Sequence, residues 1–292
     1  MDLLILLQFV LAGLSAGAVY ALIALGFGVV HNATGIVNFA QGDFLVIGAF
    51  VAYSVLVSFG MPYWVAFLAA VISAAFVGLL LERLALSRAR SKEVLLLVFI
   101  TVGASIFLRG VIKEIWGKRP LILPPLGKAQ ELSLGSFAVD PQYLWIIGIT
   151  FLAFVLLHLF FRYTLWGKAI RAVSVDAEAA ALMGIPVPRV VAASFLLAGA
   201  LGGLAGVLIG SVWPLSFESG VHIGLKGFAA AVLGGYGSFG GALLGGLLLG
   251  LLEGLGAYLA SSYKNIIAYG ILLLVLLLRP QGLLGEKNEE RL

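Results

Sequence analysis

Long apolar runs separated by short polar ones dominate this chain. Mainly apolar runs occupy 3–30, 36–59, 63–82, 94–112, 143–161, 190–212, 227–260 and 264–279. Most reach the ~20 residues that carry a helix across a hydrocarbon core at ~1.5 Å per residue. Period-3.6 amphipathicity within them is weak, as in helices that are apolar on nearly every side. Apolar and polar residues nowhere alternate with a period of two, which argues against an outer-membrane barrel. The pattern predicts an all-α protein, a polytopic transmembrane helical bundle of about eight spans, with residues 1–292 forming one domain. The first run follows Asp2 rather than Lys or Arg and is longer than a signal-peptide core, so it reads as a retained helix.

Two runs look interrupted. Residues 227–260 are too many for one span and contain GGYGSFGG (234–241), which predicts a short half-helix, a glycine turn and a full span. HNATGIVNFAQGD (31–43) predicts a similar break. Broken helices occur in membranes where they line a cavity or are buried in protein. One break in each half of the chain hints at an internal repeat, as in many transporters.

Charge gives orientation. Arg83, Arg88, Arg90 and Lys92 fall in one loop, and Arg162, Lys168, Arg171 and Arg189 in or beside another at 163–190. The positive-inside rule makes both cytoplasmic. The loop between them, 113–142, is then external despite Lys113, Lys118, Arg119 and Lys128, and Pro120, Pro124 and Pro125 make it an extended excursion. Eight simple spans would put both termini outside, yet Arg279 and Lys287 near the C-terminus favour the inside. A broken 227–260 is the expected source of that conflict.

Composition agrees with a membrane protein: apolar residues are 62%, charged residues 11%, and mean hydropathy is +1.12. A soluble surface needs roughly 25% charged residues. The absence of Cys excludes disulfide and thiol chemistry. The net charge of +4 resides in short loops and forms no stripe, so nucleic acid is not an expected partner. Four-residue spacings of small residues, such as Gly13 with Gly17, Gly202 with Gly206 and Gly210, and Gly246 with Gly250 and Gly254, predict close helix approach. Packing within one bundle is the simpler reading, and a subunit interface the alternative.

Candidate chemistry is sparse. His31, His158 and His222 are far apart, with no metal-binding spacing and no expected cofactor. No G-x4-G-K-[ST] phosphate loop is present. Gly235, Gly237 and Gly240 match G-x-G-x-x-G, but no strand precedes them, so nucleotide binding is not expected. No catalytic grouping is visible, and the chain does not read as an enzyme. The intramembrane polar residues Asn38, Gln41, Asp43 and Glu253 are candidates for a translocation path, against a plainer role in fixing the bundle.

The most informative segment is polar. In SVDAEAAALMGIPVPR (174–189), Asp176 can cap a short helix that Gly184 ends and Pro186 and Pro188 prevent from continuing. Its alanine face, flanked by Arg171 and Arg189, predicts a docking surface. Glu178-Ala179-Ala180, three residues, then Gly184 resembles the EAA-x3-G coupling loop of bacterial ABC importer permeases. GLSAGAVYALIALGFGVV (13–30), GIVNFAQGDFLVIGAFVA (35–52), TVGASIFLRG (101–110), GLKGFAAAVLGGYGSFGGALLGG (224–246) and LLLRPQGLLG (276–285) extend the likeness along the whole chain. Together they resemble the Liv-type permeases for branched-chain amino acids, and urea and amide permeases share the pattern.

That resemblance implies a multi-pass subunit of a bacterial or archaeal cytoplasmic membrane. It implies a second permease subunit, a paralogue, two cytoplasmic ATPase subunits that hydrolyse ATP, and an extracytoplasmic substrate-binding protein. ATPase coupling would fall on Asp176, Glu178, Ala179, Ala180, Gly184 and Arg189. The binding protein would dock on 113–142 and 213–226. An ion-coupled carrier using Asp43 and Glu253 as relays is the alternative of a different class, and it would not need the EAA-like helix.

Overall fold

α1 runs from Leu3 to Thr34 and stops where Gly35 takes a φ of +71°, a left-handed conformation that glycine reaches without a Cβ penalty. The computed structural model describes residues 3–91, 93–127, 132–134, 137–260, 264–279 and 281–285. Lys92, Lys128 and the tail 286–292, all used above for orientation, lie outside the described residues. After α1 come α2 (Gln41–Tyr53), prolonged by a π-helical turn to Ser58, and α3 (Tyr63–Leu81), prolonged likewise to Leu86. Then follow α4 (Val94–Trp116), the strands β1 (Leu132–Leu134) and β2 (Phe137–Val139), α5 (Pro141–Tyr163), α6 (Leu165–Val175) and α7 (Ala177–Leu182). α8 (Val187–Gly210), α9 (Ser219–Gly234), α10 (Phe239–Ala260) and α11 (Lys264–Leu278) complete the described chain. β1 and β2 pair as a small antiparallel hairpin inside the loop read as extended.

Among the described residues, α1, α2, α3, α4, α5, α8 and α10 are long and apolar enough to cross a membrane, while α9 is a shorter apolar helix. The run 227–260 is thus two helices, as its glycine turn predicted, but the first begins eight residues earlier, at Ser219. α1, α2 and α8 form the buried centre; α4 and α5 leave most of their surface outward, with Phe99, Phe107, Phe151 and Leu152 exposed. An outward apolar surface of this extent fits lipid or an apolar partner.

The ends of the helices sort into two sets. The C-terminus of α1, the start of α7, the α9–α10 turn and residues 281–285 line one cavity. The end of α3 and the start of α8 lie with Thr34 at the same end. Arg83, Arg162, Lys168, Arg171 and Arg189 lie in segments at this end, against Lys113, Lys118 and Arg119 at the other, so the positive-inside rule favours this end as the cytoplasmic one. At the opposite end Leu121 and Leu215 exchange backbone hydrogen bonds of 2.8 Å in both directions, and Gln142 on α5 accepts from Ser211. Splitting 227–260 into α9 and α10 adds one crossing and removes the parity conflict: in this orientation the described chain starts outside and finishes inside.

The break before α2, at 35–40, is equivalent by position to residues 211–218 before α9, whereas the 234–241 turn joins α9 to α10 as residues 59–62 join α2 to α3. α1–α4 and α8–α11 are two four-helix sets of opposite orientation, joined by α5–α7. The two most extensive packings are α1 on α10 and α3 on α8, which correspond under this inversion. Both seams are built from small residues. A Cβ on Gly17 would lie 2.6 Å from the Gly246 carbonyl oxygen, and one on Gly203 would lie 2.7 Å from that of Ala70. The glycine spacings therefore serve packing within the bundle.

Each second helix starts late. From Gly35 the chain returns extended into the bundle, and α2 starts only at Gln41; from Ser211 it enters from the other side, and α9 starts only at Ser219. The freed backbone groups find local partners, as an apolar interior demands. Phe39 N–H donates to Thr101 Oγ1 at 3.1 Å, Ala40 N–H to Asn38 Oδ1 at 3.1 Å, and Ser216 N–H to Ser219 Oγ at 2.9 Å. The entries share a sequence pattern, Phe39-Ala40-Gln41-Gly42 and Phe217-Glu218-Ser219-Gly220. Gly42 and Gly220 face each other so closely that a Cβ on Gly220 would lie 2.7 Å from the Gly42 carbonyl oxygen. This crossing is level with Ala198 and Ser105, near the middles of α8 and α4.

Candidate functional site

Two places concentrate polar groups: the cytoplasmic end and the crossing of α2 with α9. At the cytoplasmic end Asp176 caps α7, its Oδ1 accepting from the Glu178 and Ala179 N–H groups at 2.9 Å. The other end closes with Ile185 N–H donating to the Ala180 carbonyl and Gly184 N–H to that of Ala181, both at 3.0 Å. This paired closure places a left-handed residue just past the helix, and Gly184 has a φ of +86°. A cap at Asp176 and a glycine eight positions later are thus the two local requirements of so short a helix.

The alanine face expected of α7 is exposed at Ala177, Ala179 and Ala181. Ala180 points into the bundle, while Glu178, Gly184 and Arg189 are exposed. The large apolar side chains turned outward are Val175 (87% exposed), Leu182 (90%) and Met183 (84%). α6 carries α7: it begins with Thr164 Oγ1 accepting from Gly167 N–H at 3.0 Å and buries Ile170 and Val173. Behind α7 lies an open cavity of about 860 Å³, lined in part by His31, Asn32, Ala177, Tyr236 and Gln281. Burial pushes the Tyr236 hydroxyl above the usual tyrosine range.

The crossing gathers three of the four intramembrane candidates. Asn38, Gln41 and Asp43 are all buried. Gln41 Nε2 donates to the Ala198 carbonyl at 2.9 Å, tying α2 to α8. Asn38 Nδ2, Gln41 Oε1 and Asp43 Oδ1 have no hydrogen-bond partner within the protein. Asp43 Oδ1 is 4.0 Å from Nε of Arg109, a residue of α4 that the sequence reading passed over. Its signal was available: Arg109 is the lone charge in the run 94–112.

Glu253 is elsewhere. It pairs with Lys226 of α9 and accepts from the Tyr20 hydroxyl at 2.8 Å, binding α10 to α9 and α1. Lys226 was missed because the apolar run was drawn from 227, one residue too late. Among the described residues, no group of three or more His, Asp or Glu is placed to hold a metal ion.

The two external loops expected to dock a binding protein do meet, through Leu121 and Leu215. Residues 219–226, included in that expectation, instead form the first turns of α9 inside the bundle.

Comparison with known proteins agrees with this architecture. The family model described as branched-chain amino acid transport system / permease component matches residues 9–276. The high-affinity branched-chain amino acid transport system permease protein LivH of Escherichia coli (strain K12) is 36% identical, over 98% of this chain and 97% of its own. BraD, the corresponding permease protein of Pseudomonas aeruginosa, is also 36% identical, with the same coverage. The solved structure of PsaBC from Streptococcus pneumoniae in complex with Fab matches with a TM-score of 0.51 at 18% identity, covering 94% of this chain and 93% of that one. At that identity the likeness concerns fold alone. The sequence match over nearly the full length identifies the chain as a multi-pass membrane protein of the branched-chain amino acid transport system permease component family.

Proposed function

We propose that the chain is the membrane subunit through which an ATP-driven importer passes branched-chain or related amino acids. The observation that carries this is α7: a doubly capped helix at the cytoplasmic end where Val175 just before it, Leu182 on it and Met183 at its C-cap point outward. A helix facing only water has no use for such a patch, whereas an ATPase surface would cover it. In this reading Asp176, Ala180 and Gly184 set the shape of the coupling helix, and Glu178, Ala179 and Arg189 meet the ATPase. A paralogous permease completes the pathway, two ATPase subunits hydrolyse the ATP, and an extracytoplasmic binding protein delivers cargo near Leu121 and Leu215. Asn38, Gln41 and Asp43 border the path, and Glu253 holds the walls together.

The test is reconstitution in proteoliposomes. Amino acid uptake should require ATP, the ATPase subunits and the loaded binding protein together. Uptake by this chain alone in vesicles without ATP would overturn the reading and favour an ion-coupled carrier.

A further inference from the structure

The crossing of α2 and α9 contains more than a packing contact. A partly enclosed cavity of about 130 Å³ lies beside it, bounded by α1, the entry segment before α2, α4 and α9, with Asp43 next to the lining residue Arg109 and behind the wall. One water needs only ~10–15 Å³ of such space. The walls are mainly apolar, from Phe27, Phe39, Val221 and Phe228, with Ser105 and Arg109 as the polar exceptions. α2 and α9 both begin at this level, so the positive ends of two helix dipoles converge near the cavity.

Arg109 is the group that needs explaining. A guanidinium near mid-membrane is costly and calls for full pairing. Its Nε donates to the Ser105 carbonyl at 3.3 Å. Its nearest carboxylate, Asp43, is 4.0 Å away, well beyond the ~2.7–2.9 Å of a charge-assisted hydrogen bond. Asp43 has a side chain only 1% exposed; the Ser105 side chain hydrogen-bonds its carboxylate, but its Oδ1 has no hydrogen-bond partner within the protein. A pair built only to brace α2 against α4 would close that gap. A gap between opposite charges, beside an apolar cavity, fits a molecule that carries both charges and an apolar substituent.

We propose that this cavity is a transit site for a zwitterionic amino acid, with Arg109 taking the α-carboxylate, Asp43 the α-ammonium and the phenylalanine-lined wall the apolar side chain. The assignment rests on the transport reading above and supplies its recognition chemistry. The helix N-termini add to the attraction for the carboxylate. Binding must part Arg109 from Asp43, so part of the new interaction offsets a lost one. Weak, rapidly released binding follows, as a transit site requires.

The experiment uses the reconstituted complex with its ATPase subunits and binding protein, and compares initial uptake of leucine, valine and alanine. Arg109→Gln should lower uptake of all three by about tenfold or more, the scale of one charged hydrogen bond. ATPase stimulation by the loaded binding protein should persist in that variant. Val221→Phe, which narrows the cavity, should slow leucine about tenfold more than alanine, the lower end of what hydrophobic pockets discriminate per methylene. Uptake by Arg109→Gln at the unsubstituted rate, or an equal slowing of all three substrates by Val221→Phe, would overturn the site. An unsubstituted complex that moves some other solute but none of these amino acids would overturn the cargo reading, and the site with it.

Discussion

Lys226 on α9 reaches two partners at once: it forms an ion pair with Glu253 on α10 and donates to the Tyr20 hydroxyl on α1 at 3.3 Å. Tyr20 in turn donates to the other Glu253 oxygen at 2.8 Å. The three groups form a closed ring, and α9 depends on it because its own apolar length is too short to hold it across the membrane. Lys226→Met should therefore leave an uncompensated buried carboxylate and cost about 3–5 kcal/mol. The double change Lys226→Met with Glu253→Leu should recover most of that loss. Thermal melting of the purified protein in detergent measures both.

The glycine seams allow a contrast. Gly17→Ala would place a methyl 2.6 Å from the Gly246 carbonyl, and overpacking of this kind costs about 1–3 kcal/mol. Gly148 on α5 has nothing within 4 Å of its would-be Cβ, so Gly148→Ala should be tolerated. Equal melting temperatures for the two variants would contradict the packing described for α1 and α10.

α7, the proposed coupling helix, should respond to backbone and surface changes differently. Gly184→Val forces a β-branched residue into a left-handed backbone, at a cost of roughly 1–2 kcal/mol or more. It should impair coupled uptake while the transmembrane bundle melts normally. Asp176→Ala should behave similarly but more mildly, at about 1 kcal/mol. Leu182→Asp and Met183→Asp leave the helix intact and should abolish co-purification of the ATPase subunits.

These contrasts show which features the sequence makes legible. Hydropathy locates every long helix, since lipid-facing segments need only apolar side chains. Gly35 marks the break before α2 and the 234–241 run the α9–α10 turn, because glycine and short polar residues suit both, but 211–218, the counterpart of the first break, carries no such glycine run. Asp176 and Gly184 define α7 because local hydrogen bonds alone decide its ends. The start of α9 was misplaced because Lys226 sits in a helix and finds its partners on α1 and α10, Tyr20 lying over two hundred residues away in sequence. The inversion relating α1–α4 to α8–α11 was only hinted at, because Phe39/Gly42 and Phe217/Gly220 are too few positions to betray it without coordinates. Arg109 gains meaning only beside Asp43, which is on another helix.

The meeting of Gly42 with Gly220 bears on leakage. A barrier made of side chains opens whenever a rotamer flips, on a picosecond-to-nanosecond scale where the residue is free to move. Here the contact at the crossing is main chain against main chain, with no side chain to swing aside. Opening it means displacing a whole helix, which occurs in microseconds to milliseconds. Small ions and water would then find passage there only as often as the protein itself completes a large movement, so the idle carrier stays tight.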